Sequence, residues 1–207
     1  MQETHMCQGA LWHYLDCAFF HHMGLRQFPP RRLMAREYEE PRYEVISTFP
    51  GFEVRRYADS VQARVRTEGK NMRYSTGGFR RIAGYIFGRN DRGQMIAMTA
   101  PVHMWDDGEG EIMAFTMPSE YSLEDLPTPI DKGVKLVNYS GSTLAALRFS
   151  GLSGPRRSGR MKTKLSRMVL ENGLSPNGPP VLAVYDNPTS TLPFLRRNEI
   201  LLPVGNR

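Results

Sequence analysis

From Tyr43 onward apolar and polar positions follow each other in short, regular runs. Val61-Gln62-Ala63-Arg64-Val65-Arg66 alternates with period two, which predicts a strand with one buried and one wet face. Tyr43–Ser47 and Phe52–Tyr57 also read as strands, parted by Pro50-Gly51. The period then changes. Phe79, Ile82, Ala83 and Ile86 recur at i, i+3, i+4 and i+7, which predicts a helix over 78–87. Gly88-Arg89-Asn90-Asp91-Arg92-Gly93 breaks that period with turn residues. Strands are expected at 98–105 and 111–116, joined by the hairpin loop Asp106-Asp107-Gly108-Glu109-Gly110. After a proline-containing connection over 118–133 the plan repeats. Strands fall at 134–139 and 143–149, and a helix at 155–172 carries Met161, Leu165, Met168 and Val169 as its stripe and ends at Gly173. Strands at 181–185 and 198–202 close the chain. After one leading strand the order is strand, strand, helix, strand, strand, twice. Two such units side by side make an α+β architecture, a distorted β-barrel with two flanking helices.

Residues 1–40 do not share this pattern. The apolar stretch from Leu11 to Met23 is interrupted by His13, Asp16, His21 and His22. It is too short and too polar to span a bilayer, and it lacks the basic start and unbroken apolar run of a secretory signal. The segment reads as a disordered or loosely helical extension, with the domain at 41–207 and a cytoplasmic location expected. Both cysteines, Cys7 and Cys17, lie in it, so no disulfide is expected inside the domain. The 207 residues carry a formal net charge of +6. That excess fits an arginine-rich surface or a preference for anionic partners. No nucleic-acid-binding motif accompanies it.

The search for catalytic chemistry finds no Gly-x-Ser-x-Gly elbow, phosphate-binding loop, dinucleotide fingerprint or His-Glu-x-x-His motif. Gly77-Gly78 reads as the turn into the first helix. His103, between Val102 and Met104 on a strand, is expected to face outward if those two face the core. The methionines read as core filler. The chain is therefore expected not to be an enzyme.

Two separated motifs carry a resemblance. Tyr85-Ile86-Phe87-Gly88-Arg89-Asn90 leads to Met98-Thr99-Ala100-Pro101-Val102. About a hundred residues later come Ala183-Val184-Tyr185-Asp186-Asn187-Pro188 and Pro193-Phe194-Leu195-Arg196-Arg197-Asn198-Glu199-Ile200. Together they resemble the SOUL/haem-binding protein family over roughly 41–204. The resemblance implies a distorted barrel with two helices, similar also to the effector-binding domains of gyrase-inhibitor-like proteins. It implies haem or another tetrapyrrole as a non-covalent ligand, and the chain is read as a carrier or buffer; no metal site in the protein itself is expected, and a monomer is expected.

A tetrapyrrole needs an apolar shelf beside a cation. Phe79, Ile82, Ala83 and Ile86 would be the shelf, Arg80 or Arg81 the propionate partner, and Leu192 and Phe194 the nearby loop. Some family members carry a histidine, proposed as an iron ligand, where this chain has Arg56, and a guanidinium does not ligate iron. His103 is the one other candidate within the domain. Arg196-Arg197-Asn198-Glu199 has two readings, charge pairs that close the barrel or direct ligand contact. Three rival functions stay open. One is a broad effector-type small-molecule module. Another is a hydrolase working through Tyr85, Tyr121 or Glu199. The third is a protein-interaction role with no ligand.

Overall fold

The computed structural model describes residues 38–67, 75–186 and 191–205. The expected extension, with its histidines and cysteines, lies outside them apart from Tyr38–Glu40, and so do Asn187 and Pro188. The elements in chain order are β1 (Tyr43–Phe49), β2 (Phe52–Tyr57), β3 (Ser60–Thr67), α1 (Ser75–Ile86), β4 (Val102–Asp106), β5 (Glu111–Thr116), β6 (Val134–Tyr139) and β7 (Thr143–Ser150). Then follow α2 (Pro155–Glu171), β8 (Ser175–Pro176), β9 (Val181–Val184), a single 3-10 turn (Pro193–Leu195) and β10 (Arg197–Gly205). No helix among the described residues is long and apolar enough to cross a membrane.

All ten strands belong to one antiparallel sheet, ordered β1-β2-β7-β10-β9-β4-β5-β3-β6, with β8 appended to β10. The order contains the repeat. One unit contributes β2, β3, α1, β4 and β5, the other β6, β7, α2, β9 and β10. The units meet where β4 pairs β9, at Val102↔Val184 and Met104↔Leu182. Each unit lends its first strand to the other: β2 pairs β7 and β6 pairs β3.

That exchange curls the sheet. Only Ala58 and Asp59 separate β2 from β3, and only Ser140, Gly141 and Ser142 separate β6 from β7. Strands near opposite ends of the order must therefore approach each other at their tips. The two links cross there, with the Tyr57 N–H donating to Ser142 O at 3.0 Å and the Gly141 N–H to Asp59 Oδ1 at 2.6 Å. A Cβ on Gly141 would stand 2.1 Å from the Tyr57 carbonyl oxygen, so only glycine fits the crossing. The result is a half-barrel.

Both helices lie on one face. Ile82, Tyr85 and Ile86 of α1 pack with Val61, Ala63, Val65, Met113 and Phe115. Leu165 and Val169 of α2 pack with Phe52, Val54, Leu147, Leu182 and Ile200. Gly77 and Gly78 are not the turn into α1 but part of it. A Cβ on Gly78 would come within 2.7 Å of Thr67 Cγ2 and 3.2 Å of Val65 Cγ1. The missing side chain is what lets α1 lie close on β3.

Candidate functional site

The apolar stripe of α1 is turned into the core. Ile82 and Ile86 are fully buried, Ala83 nearly so, and Phe79 is half-buried with its ring 5.6 Å from that of Phe115. Hydrophobic burial is what holds this helix on the sheet, so the stripe is not a surface shelf. Arg80 is exposed. Arg81 already has a carboxylate: its Nε and Nη2 donate to Asp131 at 2.6 and 2.7 Å. Those bonds hold the Asp131 carboxyl down to about 2, against the opposing effect of burial.

Leu192 and Phe194 are placed differently. They flank Pro193 on the 3-10 turn before β10, with Leu195 next to them, and are 58%, 67% and 60% exposed in the order Leu192, Phe194, Leu195. The turn is tied to the corner between β7 and α2, where the Gly151 N–H donates to Arg196 O at 2.9 Å and Asn198 Nδ2 to Gly151 O at 2.8 Å. Leu152, also exposed, stands on that corner. Exposed Arg156, Arg157 and Arg160 open α2 beside it. The structure thus ties the end of this turn, through Arg196 and Asn198, to the Gly151 corner that precedes α2, while α1 covers β3, β5 and β6.

Arg196-Arg197-Asn198-Glu199 closes the barrel through paired side chains. Arg197 bonds Glu40, and its guanidinium carbon lies 3.6 Å from the Tyr185 ring centre. Glu199 points to the helix-free face, where Arg55 Nη1 donates to it at 2.8 Å and the Tyr185 hydroxyl at 2.8 Å. Both members of that ion pair are buried. Burial alone would weaken the Arg55 charge, but the bonds to Glu199 and Tyr57 outweigh it and hold its pKa above the ordinary value. Burial likewise pushes Tyr57 up to about 12, although the Arg55 bond pulls the other way. Tyr43 completes the cluster, its ring centre 4.4 Å from the Arg55 guanidinium carbon. Sequence reasoning missed Arg55, Tyr57 and Tyr185. Arg56, at the position of the family histidine, is exposed, whereas its neighbour Arg55 is buried. No local signal separates the two.

The same face holds a cavity of about 210 Å³, lined by Tyr57, Gln62, Arg64, His103, Trp105 and Tyr139 over a floor that includes Leu144 and Leu201. Here the expectation for His103 is corrected. It does alternate with Val102 and Met104, which face the helices. Yet His103 is only 8% exposed, because the curled sheet encloses its own second face. Its Nδ1 is buried without a hydrogen-bond partner. Burial, with a smaller push from the Arg64 charge, holds the imidazole down to about 4.

The three residues considered for hydrolysis do not converge. Tyr85 on α1 is buried against the sheet and donates to Pro127 O at 3.0 Å, and Tyr121 packs against the same cluster. Glu199 is engaged on the opposite face. Among the described residues no group of three or more histidine, cysteine or acidic side chains is placed to hold a metal ion.

Comparison with known proteins agrees with the fold. Human Heme-binding protein 2 is 27% identical over 135 residues, a match covering 60% of this chain and 64% of that protein's length. Among solved structures, the EcmrR C-terminal domain superposes with a TM-score of 0.57 at 11% identity, covering 80% of this chain and 99% of that one. A hydrolase from Listeria innocua superposes with a TM-score of 0.50 at 13% identity, covering 74% and 91%. At such identities the two structural likenesses concern the fold alone. The SOUL heme-binding protein family model matches residues 38–203, nearly all of the described sheet and both helices, and the chain belongs to that family.

Proposed function

We propose that this chain binds haem or another tetrapyrrole without a covalent bond and serves as a monomeric carrier or buffer, with the ligand seated on the turn before β10. The observation that carries this reading is the exposed apolar turn Leu192, Phe194 and Leu195, tied through Arg196 and Asn198 to the Gly151 corner that precedes the arginine-bearing start of α2. A porphyrin presents a broad apolar face and two propionates on one edge. The turn offers side chains that gain by burial against the face, at roughly 25 cal/mol per Å² of apolar area removed from water. Arg156, Arg157 and Arg160 offer partners for the propionates. Of the expected site, Leu192 and Phe194 stay in this proposal. Ile82, Ala83 and Ile86 leave it, because a ligand reaches them only by displacing core.

Bound haem would supply a redox-active iron. His103, the one imidazole among the described residues, lines a cavity that takes no residue from the turn. The residues of the turn would therefore hold the macrocycle and its propionates and offer the iron no imidazole, and metal-free porphyrins should bind comparably.

Titration with haemin and with metal-free protoporphyrin, followed by the Soret band, tests this. The double variant Phe194→Ser/Leu195→Ser should weaken both ligands at least tenfold while leaving the fold intact by circular dichroism. Ala83→Glu distinguishes the helix from the turn. It places a carboxylate in the core and should destabilise the domain. If it instead folds normally and loses porphyrin while the double variant binds as before, the ligand lies on α1 and this placement is wrong.

A further inference from the structure

The tetrapyrrole reading leaves the cavity on the helix-free face unused. Its chemistry follows from one cross-strand row. Arg64 on β3 is opposite Ala114 on β5, which is opposite His103 on β4, which is opposite Ala183 on β9. Two alanines thus flank His103, and Arg64 and the imidazole both line the cavity from the same row. At about 210 Å³ the space is too small for a porphyrin. An apolar cavity of about 150 Å³ accepts benzene, so this one suits one or two fused rings.

Two groups in the cavity lack what their chemistry requires. Arg64 is half-buried, and burial lowers its pKa. Its Nε donates to Gln62 Oε1 at 3.0 Å, and its guanidinium carbon lies 5.3 Å from the Trp105 ring centre and 6.0 Å from that of Tyr139. Among the described residues no carboxylate pairs with it. A cation taken partly out of water calls for an anion, and a guanidinium matches a carboxylate in two parallel bonds. The buried His103 Nδ1 has no partner. The His103 ring itself lines the cavity, and a neutral imidazole carries one ring N–H, which donates to the same carboxylate when it is the nitrogen turned toward that space. The acid two strands away in the row, Glu199, opposite Ala183, is already held by Arg55 and Tyr185 and leaves no free negative charge for a cationic guest. Trp105 and Tyr139 provide aromatic walls for a flat ring.

We propose that this cavity is a second binding site, separate from the tetrapyrrole site, for a small aromatic carboxylate of one or two rings, held by Arg64 and His103.

Isothermal titration calorimetry with 1-naphthoate on the full chain tests it. The expected result is one-to-one binding in the micromolar to sub-millimolar range. The neutral analogue 1-naphthalenemethanol should bind at least tenfold more weakly, a comparison that needs no variant. Arg64→Met should weaken naphthoate at least tenfold, leave the weak affinity for the alcohol unchanged and leave haemin binding as it was. Naphthoate that does not bind at millimolar concentration, or binds no better than the alcohol, overturns the proposal. So does equal affinity in a folded Arg64→Met variant. Haemin followed by its Soret band reports the tetrapyrrole reading separately: haemin bound without naphthoate sinks this inference alone, and naphthoate bound without haemin sinks the other alone.

Discussion

The two faces of the sheet are both buried, by different means. The helix-covered face is closed by α1 and α2 with aliphatic and aromatic side chains, and its stability comes from area and volume. The helix-free face is closed by the sheet's own curl and carries Arg55, Glu199, Tyr57, Tyr185 and His103 in or beside a small apolar cluster. On the first face a substitution leaves a hole, which neighbours partly fill. On the second it leaves a charge or a polar atom without its partner, and nothing relaxes to replace that. The polar face therefore tolerates less, even though it contributes less apolar area.

The largest effect is expected where that difference is sharpest. Arg55→Met leaves the Glu199 carboxylate buried with the Tyr185 hydroxyl as its remaining partner on that face. Denaturant unfolding should show a loss of about 3–5 kcal/mol. The double variant Arg55→Met/Glu199→Leu should recover most of it, since both charges are gone. A single variant that costs under about 1 kcal/mol would mean that this face is not held by the pair. On the helix-covered face Ile82→Ala should cost about 2–5 kcal/mol in the same measurement, from lost transfer energy plus the cavity left behind. In contrast to Arg55→Met, no second substitution that removes a charge should restore it.

His103 sharpens the comparison through pH. In the unfolded chain it takes its proton near 6.5, and in the folded chain burial, then the Arg64 charge, hold it down to about 4. Above pH 6.5 both states are neutral at this position and the group does not affect stability. Between 6.5 and 4 the unfolded state binds the proton more readily, so stability falls, by about 3 kcal/mol in all once both states are protonated. Melting temperature against pH should fall less steeply over that window in His103→Gln. Equal slopes in the two proteins would show that the imidazole is not protected from water. The smallest effect is expected at the surface. Arg81 and Asp131 are each about two-fifths exposed, so Arg81→Met should cost less than about 1 kcal/mol and less still in high salt.

Much of this molecule is a consequence of local pattern. Period two in 61–66 and the 3.6-residue stripes of α1 and α2 are properties of neighbouring residues, and the elements form close to where those periods place them. The repeat of strand, strand, helix, strand, strand was legible for the same reason, and so was the family, whose motifs lie on the turns and strands that frame each unit. Element ends were less legible. α1 begins at Ser75, upstream of Gly77-Gly78, because close packing on β3 outweighs the poor helix propensity of glycine.

What the pattern could not supply is the second face. Alternation marks Gln62, Arg64 and His103 as pointing away from the helices, and a flat sheet would leave them in water. The exchange of β2 and β6 between the units, together with the two short crossing links, closes that face instead. Arg55 and Glu199 are 144 residues apart and become partners only there. The same folding decides the ligand question for α1. An apolar stripe has one spacing whether it meets a porphyrin or a sheet, and only packing against β3 and β5 determines that Ile82 and Ile86 meet the sheet. Periodicity thus determined which residues share a face. The tertiary structure decided what each face meets, because burial depends on the whole chain's path and not on the spacing within any one element.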